Sequence, residues 1–471
     1  MKVLTNENLW NVVFKTLPVK WMLKTALATC TECGRTHLET ALNDYADKKQ
    51  TKCLSCSLYS NIIRFWIGFL ARTLAVEKSR VSKILADPFT RRALKSIVEG
   101  FLDFGFNRPL SIHAPFLVVW NFTYKCNLNC KHCYSDAGNP SRKELFTKEA
   151  MSVVDQIADF GVTSLAFSGG EPLMRKDFFE VAGHAVDSGL YVSLATNGTL
   201  LNHENVRKLK EIGLNYVEVS LDGCDPKTHD YFRGQDGAFN AALQGLNNCV
   251  KEDLCTCLAI TATKNNLTEI PIVLDMAEDM GIKRFTLFNF VPTGRGQDVR
   301  DIDPSPEERE EVLNFLRKKL LGDPKIAILT TAPQLARVAL QAQSWSTQNE
   351  MTVPFAHMEA AKISKRAKAL ADFIGGCGAG RFYCAISPEG NIQPCVFLPI
   401  NVGNLKTEKL ENIWYNSPVF KVLRDREKLK GRCGGCEFKF VCGGCRARAY
   451  SYFGDYLMSD PGCIRKLSEG D

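Results

Sequence analysis

A chain of 471 residues with 45% hydrophobic and 24% charged side chains is long enough for two or three domains with ordinary cores. Its composition argues against a disordered, collagenous or multi-span membrane protein. Nineteen cysteines are too sparse for a secreted disulfide scaffold, and their odd number leaves one thiol over, so metal or redox use is the first alternative.

The net charge of +7 is uneven, since residues 1–116 hold 17 Lys/Arg against 9 Asp/Glu. The N-terminus lacks the order of regions that marks a signal peptide, and no stretch approaches the ~20 apolar residues that span a bilayer. A reducing cytoplasm is therefore expected, where thiols stay free to hold metal. Leu9 to Leu27 and Ile62 to Val76 mix Trp, Phe and Leu with Lys or Arg, a composition suited to amphipathic helices on the inner, anionic face of a membrane. The plainer alternative is a basic surface over buried aromatics. No nucleic-acid module is recognisable, so no nucleic-acid partner is expected.

The same basic region, residues 1–112, carries Cys30-x2-Cys33 and, 19 residues on, Cys53-x2-Cys56. Two such knuckles can aim four thiolates at one tetrahedral ion, either zinc or a rubredoxin-like mononuclear iron.

Next comes the apolar run Phe116 to Trp120, which leads into Cys126-x3-Cys130-x2-Cys133. Three thiolates on a loop behind a buried strand leave one corner of an iron–sulfur cube open to an outside ligand. Strand-length apolar runs follow at Ser164–Phe167, Tyr191–Ala195, Tyr216–Leu221, Thr256–Thr261 and Arg284–Phe288, with helical periodicity near 147–160, 177–188, 203–212, 238–251 and 268–280. This alternation predicts an α/β fold with a parallel sheet wrapped by helices. Residues 301–374 read as a charged helical bridge. Residues 375–471 then hold Cys377, Cys384, Cys395, Cys433, Cys436, Cys442, Cys445 and Cys463, enough for two four-thiolate sets or for a zinc-binding tail.

The cysteine array followed by Gly169-Gly170-Glu171-Pro172 resembles the radical S-adenosylmethionine (radical SAM) superfamily. That resemblance implies a partial (β/α)6 TIM-type barrel over residues 113–300. It implies a [4Fe–4S] cluster on Cys126, Cys130 and Cys133 whose open iron binds S-adenosylmethionine, with reducing electrons from a donor such as ferredoxin or flavodoxin. The cofactor is then cleaved to a 5′-deoxyadenosyl radical that abstracts hydrogen from an unactivated C–H bond. By the same resemblance Gly169, Gly170 and Glu171 meet the methionine moiety, while Ser220, Asp222 and Arg233 meet its ribose and carboxylate. His132 stands where the family often has an adenine-contacting aromatic, and Val291-Pro292-Thr293-Gly294 resembles the adenine-side loop.

The tail resembles the SPASM domain, which holds auxiliary [4Fe–4S] clusters. Four residues separate Gly390 from Cys395 and twelve separate Cys377 from Gly390. The resemblance assigns Cys377, Cys384, Cys395 and Cys445 to one cluster and Cys433, Cys436, Cys442 and Cys463 to the other. One departure is the two residues between Cys442 and Cys445, where three are usual, so one or two auxiliary clusters are expected. Of the remaining Cys224, Cys249, Cys255 and Cys257, most read as small buried hydrophobes, while Cys224, directly after Asp222-Gly223, stands close enough to the expected site to have a further role there.

The ending from Cys442 to Cys463 is most similar to the haem-pathway subgroup, which implies a tetrapyrrole side chain as substrate. Val396 stands where sulfatase-activating members carry an Asp base. A lipid substrate is the alternative that the basic N-terminal region favours. A peptide-modifying maturase and a non-catalytic iron–sulfur or zinc scaffold are the others.

Overall fold

The computed structural model describes residues 17–47, 53–73, 78–138, 143–322, 324–342, 350–355, 358–364 and 370–465. Five helices come first: α1 (Leu17–Leu27), α2 (His37–Asp47), α3 (Leu54–Thr73), α4 (Lys78–Ala86) and α5 (Pro88–Phe104). Their shared core is small. Leu38, Leu42 and Leu85 are buried in it, with Ile63, Ile67, Val81, Leu94 and Val98 partly so. Helix α5 begins at Asp87, whose carboxylate accepts from the backbone N–H groups of Phe89 and Thr90, with Pro88 in the first turn. It then packs along the next domain, where Gly100 is required because a Cβ would lie 2.6 Å from the carbonyl oxygen of Ser111.

The expected alternation follows as β1 (Leu117–Thr123), α6 (Thr147–Asp159), β2 (Ser164–Gly169), α7 (Phe178–Asp187), β3 (Tyr191–Thr196), α8 (His203–Glu211) and β4 (Tyr216–Ser220). Helices α9 (Pro226–Arg233) and α10 (Ala238–Lys251), strand β5 (Thr256–Ala262), helix α11 (Ile270–Asp279) and β6 (Arg284–Asn289) complete it. Strands β1 to β6 pair in parallel in chain order, the right-handed β/α arrangement of a partial barrel. Val118, Trp120, Phe122, Leu165, Phe167, Val192, Leu194, Val217, Val219, Leu258 and Ile260 project outward under the helices and form the main core. Their alternates face the lumen and are mostly small: Ala166, Ser168, Ser193, Ala195, Ser220 and Ala259.

The bridge departs from the helical expectation. After α12 (Pro306–Leu321), capped by Ser305 and Glu308 acting reciprocally, the chain forms β7 (Ala327–Thr330), parallel to β6. Helix α13 (Gln334–Gln341) and an antiparallel pair, β8 (Glu350–Phe355) and β9 (Met358–Ser364), come next. The run Ile326 to Thr330 is too short to show its period inside so charged a segment. On the other edge, β10 (Tyr383–Ile386), β11 (Asn391–Gln393) and β12 (Gly403–Asn404) extend the sheet to ten strands. Because β10 pairs in parallel with β1, the tail is built onto the strand that delivers the first cysteine loop.

Only part of each basic amphipathic segment can be described: residues 9–16 and 74–76 lie outside the described residues. Within the rest, the aromatics are not buried. Trp21 and Phe65 are each 67% exposed, Trp66 44% and Phe69 50%.

Candidate functional site

Cys126, Cys130 and Cys133 cluster on the loop after β1 with Leu128 and Ala238. Cys130 is buried and the others half-buried. The loop is gripped from several elements. The N–H of Gly170 donates to the Thr123 carbonyl at 2.8 Å, and that of Glu171 to the Lys125 carbonyl at 2.8 Å. Asn197 Nδ2 donates to Asn127 Oδ1 at 2.9 Å. The N–H of Lys131 donates to the Phe232 carbonyl at 3.0 Å, and that of Arg295 to the Cys133 carbonyl at 3.0 Å. Burial pushes the Cys126 thiol up to about 11 and also raises Cys130, so thiolates here need a cationic occupant.

Gly169 and Gly170 serve this grip. A Cβ on Gly170 would lie 2.2 Å from the Lys125 carbonyl oxygen, and Gly169 adopts φ +106°. Backbone of the cysteine loop and of β1 occupies the Cβ direction of both glycines. Glu171 is fully buried and accepts from Thr196 Oγ1 at 2.9 Å, the Asn197 N–H at 2.9 Å and the Leu173 N–H at 3.2 Å. Burial raises its carboxyl to about 7 against those three bonds. The bonds to Thr196 and Asn197 tie the β2 exit to the β3 exit.

Ser220 ends β4 on the lumen side, half-buried. Asp222 is wholly buried and pairs with Arg233 at 2.6 Å, which outweighs its burial and holds its carboxyl below the ordinary value. Arg233, the last residue of α9, in turn reaches Cys130 Sγ at 3.8 Å. His132 stacks on Phe232, with ring centroids 4.1 Å apart and planes 2° apart, and its Nε2 lies 3.7 Å from Asp222. One face of the imidazole is therefore already occupied. Burial lowers His132 to about 3, which keeps it neutral. Its Nδ1 and the Nε of Arg233 are buried without a hydrogen-bond partner, and such atoms fit a polar ligand at this place. Gly294, in the loop expected at the adenine side, abuts the Cys133 and Tyr134 carbonyls, where a Cβ would lie 2.5 and 2.6 Å away.

In the tail, Cys433, Cys436, Cys442 and Cys463 line one cavity of about 360 Å³. N–H donors already point at the sulfurs: Asp460 N to Cys433 at 3.4 Å, Phe438 N to Cys436 at 3.4 Å and Gly444 N to Cys442 at 3.4 Å. Gly443 and Gly444 both take φ +63°, which makes the tight turn before Cys445. The room, the sulfurs and the donors fit an iron–sulfur cube. The other expected set is divided. Cys377, Cys395 and Cys445 gather with Tyr383, Leu117 and Val119. Cys384, in register with Val118, lies in the main core on the opposite side of the strand. Adjacent strand residues point to opposite faces, so Tyr383 and Cys384 cannot both join that group. The expectation of Cys384 as a ligand is corrected accordingly, and three thiols remain. Tyr383 donates its hydroxyl to Cys395 Sγ at 2.7 Å.

At the N-terminal region, the ligand atoms of Cys30, Cys33, Cys53 and Cys56 all lie within 4.8 Å of one another, the convergence one mononuclear ion needs.

Sequence comparison agrees with this geometry. A model described as the Radical SAM superfamily matches residues 120–277, and one described as an iron–sulfur cluster-binding domain, SPASM, matches residues 377–437. The AdoMet-dependent heme synthase of Methanosarcina barkeri is 40% identical over 354 residues, which cover 75% of this chain and 97% of that protein. The chain belongs to the radical SAM superfamily. Its similarity places it in the haem-pathway subgroup: the Fe-coproporphyrin III synthase of the same organism is 34% identical over 75% of this chain and 88% of its own. The Streptococcus suis SuiB crystal structure shares the fold, with a TM-score of 0.62 at 16% identity over 92% of this chain and 93% of that one. As a radical SAM enzyme with a SPASM domain, the chain uses S-adenosylmethionine, a [4Fe–4S] cluster and auxiliary iron–sulfur clusters.

Several groups of this radical SAM site escaped the sequence reading. Thr196 and Asn197 hold Glu171 and the cysteine loop, and the Thr196-Asn197-Gly198 turn at the third strand's end was the available signal. Arg295 donates to the Cys130 carbonyl at 3.1 Å. Tyr134, next to the third cysteine, donates to Asn121 Oδ1 at 3.0 Å and packs edge-on to Phe397 at 5.0 Å, joining the cluster loop to the tail. In the lumen, Glu218 shares the face of Ser220, and burial raises its carboxyl to about 7.

Proposed function

We propose that this chain abstracts hydrogen from a tetrapyrrole side chain, with the auxiliary clusters taking up the electron left on the substrate. The observation that carries the reading is the 40% identity to a heme synthase matched along 97% of its length. When bound, the reduced cluster and S-adenosylmethionine supply the hydrogen-abstracting 5′-deoxyadenosyl radical. Cys126, Cys130 and Cys133 hold that cluster, while Arg233, kept in place by Asp222, offsets thiolate charge from the protein side. Ser220, His132 and the backbone at Gly169–Glu171 face the cofactor. Cys433, Cys436, Cys442 and Cys463 hold one auxiliary cluster; Cys377, Cys395 and Cys445 hold a second with three protein thiolates. Anaerobic protein with dithionite, S-adenosylmethionine and Fe-coproporphyrin III should yield 5′-deoxyadenosine in step with a side-chain mass change read by mass spectrometry. Deoxyadenosine formation indifferent to the tetrapyrrole sinks the substrate assignment.

We also infer that the enzyme works at an anionic membrane surface. Among the described residues no helix is long and apolar enough to cross a bilayer, yet Leu54, Leu58, Ile62, Phe65, Trp66 and Phe69 of α3 are all exposed. At about 100° per residue they span an arc of about 120°. Helix α3 carries no acidic residue, and Arg72 at its end is exposed, which suits a lipid-facing helix among anionic headgroups. Co-sedimentation with phosphatidylglycerol vesicles that weakens with salt is expected; indifference to both removes this reading.

A further inference from the structure

The haem-synthase relative is matched along 97% of its length yet covers 75% of this chain, and the family models begin at residue 120. The four-cysteine module therefore lies outside the matched catalytic machinery. We propose, resting on the membrane reading above, that one zinc ion on Cys30, Cys33, Cys53 and Cys56 pins helix α3 in its docking position, so that lipid binding depends on the metal.

The sulfur geometry is that of a closed four-thiolate site. Cys30 and Cys53 lie 3.5 Å apart, as do Cys33 and Cys56. Those separations are too long for a disulfide, at about 2.05 Å, and close to the edge of a zinc tetrahedron, about 3.8 Å for Zn–S bonds of about 2.3 Å. One knuckle is preformed by the backbone: the N–H of Gly34, at φ +70°, donates to the Cys30 carbonyl at 2.9 Å, and that of Cys30 to the Arg35 carbonyl at 2.8 Å. The other knuckle is the start of α3 itself. Cys53 immediately precedes the helix and Cys56 sits in its first turn, fully buried. His37 closes the flank, with Nδ1 3.4 Å from Cys56 Sγ and its ring 4.2 Å from that of Tyr59.

The rest of the grip on α3 is light. Its inner face offers Ser60, Ile63, Ile67 and Ala71. Ser60 donates to Asp44 Oδ2 at 3.0 Å and Arg64 to the Asp44 carbonyl at 2.9 Å. Among the described residues, the buried members of the module's hydrophobic cluster are Leu38, Leu42 and Leu85, too little core to hold a helix that is apolar on both faces. Leu54 and Leu58, the first two residues of the exposed stripe, bracket Cys56, so the metal fixes the stripe at its root. The knuckle hairpin with its ion joins α3 to the start of α2, and loss of the ion frees the helix to rotate its apolar face inward.

The test uses the full chain, purified anaerobically, with phosphatidylcholine vesicles containing 30% phosphatidylglycerol. Native protein should carry one zinc per chain and sediment with the vesicles. Cys33→Ala, at an exposed ligand position, should lose the zinc and at least tenfold of the vesicle affinity. Cys33→His, which keeps a zinc ligand, should restore both. Phe65→Ser/Trp66→Ser should keep zinc and lose binding. Zinc-free Cys33→Ala that binds vesicles like native protein overturns the metal dependence while leaving the membrane reading intact. Native-like binding by the zinc-loaded stripe variant instead overturns the membrane reading and the inference resting on it. A dimer of native protein that the stripe variant dissolves, without vesicle binding, identifies a second copy as the occupant and overturns both. One iron per chain and no zinc overturns the zinc assignment.

Discussion

Arg448 and Asp460 form an ion pair at 2.8 Å in which neither side chain reaches solvent. Asp460 also accepts the backbone N–H of Cys445 at 2.7 Å and that of Gly462 at 3.0 Å. Arg448, on helix α14 (Arg446–Phe453), continues to Asn289 Oδ1 at 2.9 Å, at the end of β6. The pair thus joins the turn between the two auxiliary cysteine sets to the barrel. Burial opposes the charge on Asp460, but Arg448 outweighs it and holds the carboxyl far below the usual range. Asp460→Asn leaves the buried Arg448 to the more distant Asp303 carboxylate, at 4.0 Å and already paired with Arg309, at a cost of about 3 kcal/mol, the low end for a broken buried pair. The expected result is a lower anaerobic melting temperature and loss of iron from the tail, with iron at Cys126, Cys130 and Cys133 retained. Unchanged melting and iron content would show that the pair does not organise the auxiliary region.

Cys384 and Cys395 make opposite predictions. Cys384 is buried beside Val118 in the main core, so Cys384→Ala removes only a small apolar group, at about 1 kcal/mol. Iron per chain should not change. Cys395→Ala removes a thiol from the group with Cys377 and Cys445 and should lower the content by about four irons. Equal losses from the two variants would return Cys384 to the ligand set.

The contrast shows where the sequence stops being legible. Barrel strands could be read to within a residue or two because each is a short apolar run between helical segments. The loop cysteines were equally plain, since all three lie within eight residues. Cys384 was misread because spacing says nothing about strand parity; only pairing with β1 decides which way a residue of β10 points. Glu171 was legible as part of the Gly-Gly-Glu-Pro run, but its partners Thr196 and Asn197 lie at the end of another strand, so those bonds are a tertiary fact. The exposure of Phe65 and Trp66 was hidden for a related reason: composition does not reveal which aromatics find a cover.

Glu171 gives a pH signature. Its folded value, raised to about 7 by burial, lies above that of an unfolded glutamate, about 4.3. Between these values the folded state binds more protons, so the group's contribution is fully present below about 4.3 and is lost as pH rises to about 7. Glu171→Gln lacks this titration and also turns an amide N–H toward donors. The melting-temperature gap between wild type and the variant should therefore shrink from pH 5 to pH 7 and stay level above that. A gap constant across the window would place the Glu171 carboxyl at its ordinary value.

Tyr383 tests the electronic role assigned to the three-thiol auxiliary set. Its hydroxyl is buried and donates to Cys395 Sγ at 2.7 Å. A hydrogen bond to a cluster sulfur stabilises the more negative, reduced form and so raises the reduction potential. Tyr383→Phe keeps the ring and its packing against Leu117 and Val119 but removes that donor. The cluster should stay loaded while its midpoint falls by tens of millivolts, about 40 mV for each kcal/mol of differential hydrogen bonding. Redox titration followed by electron paramagnetic resonance reads the shift, and single-turnover kinetics read its consequence. If this centre takes up the substrate electron, product formation should slow while S-adenosylmethionine cleavage persists. A lowered potential with unaltered product formation would assign electron uptake to the cluster at Cys433, Cys436, Cys442 and Cys463 instead.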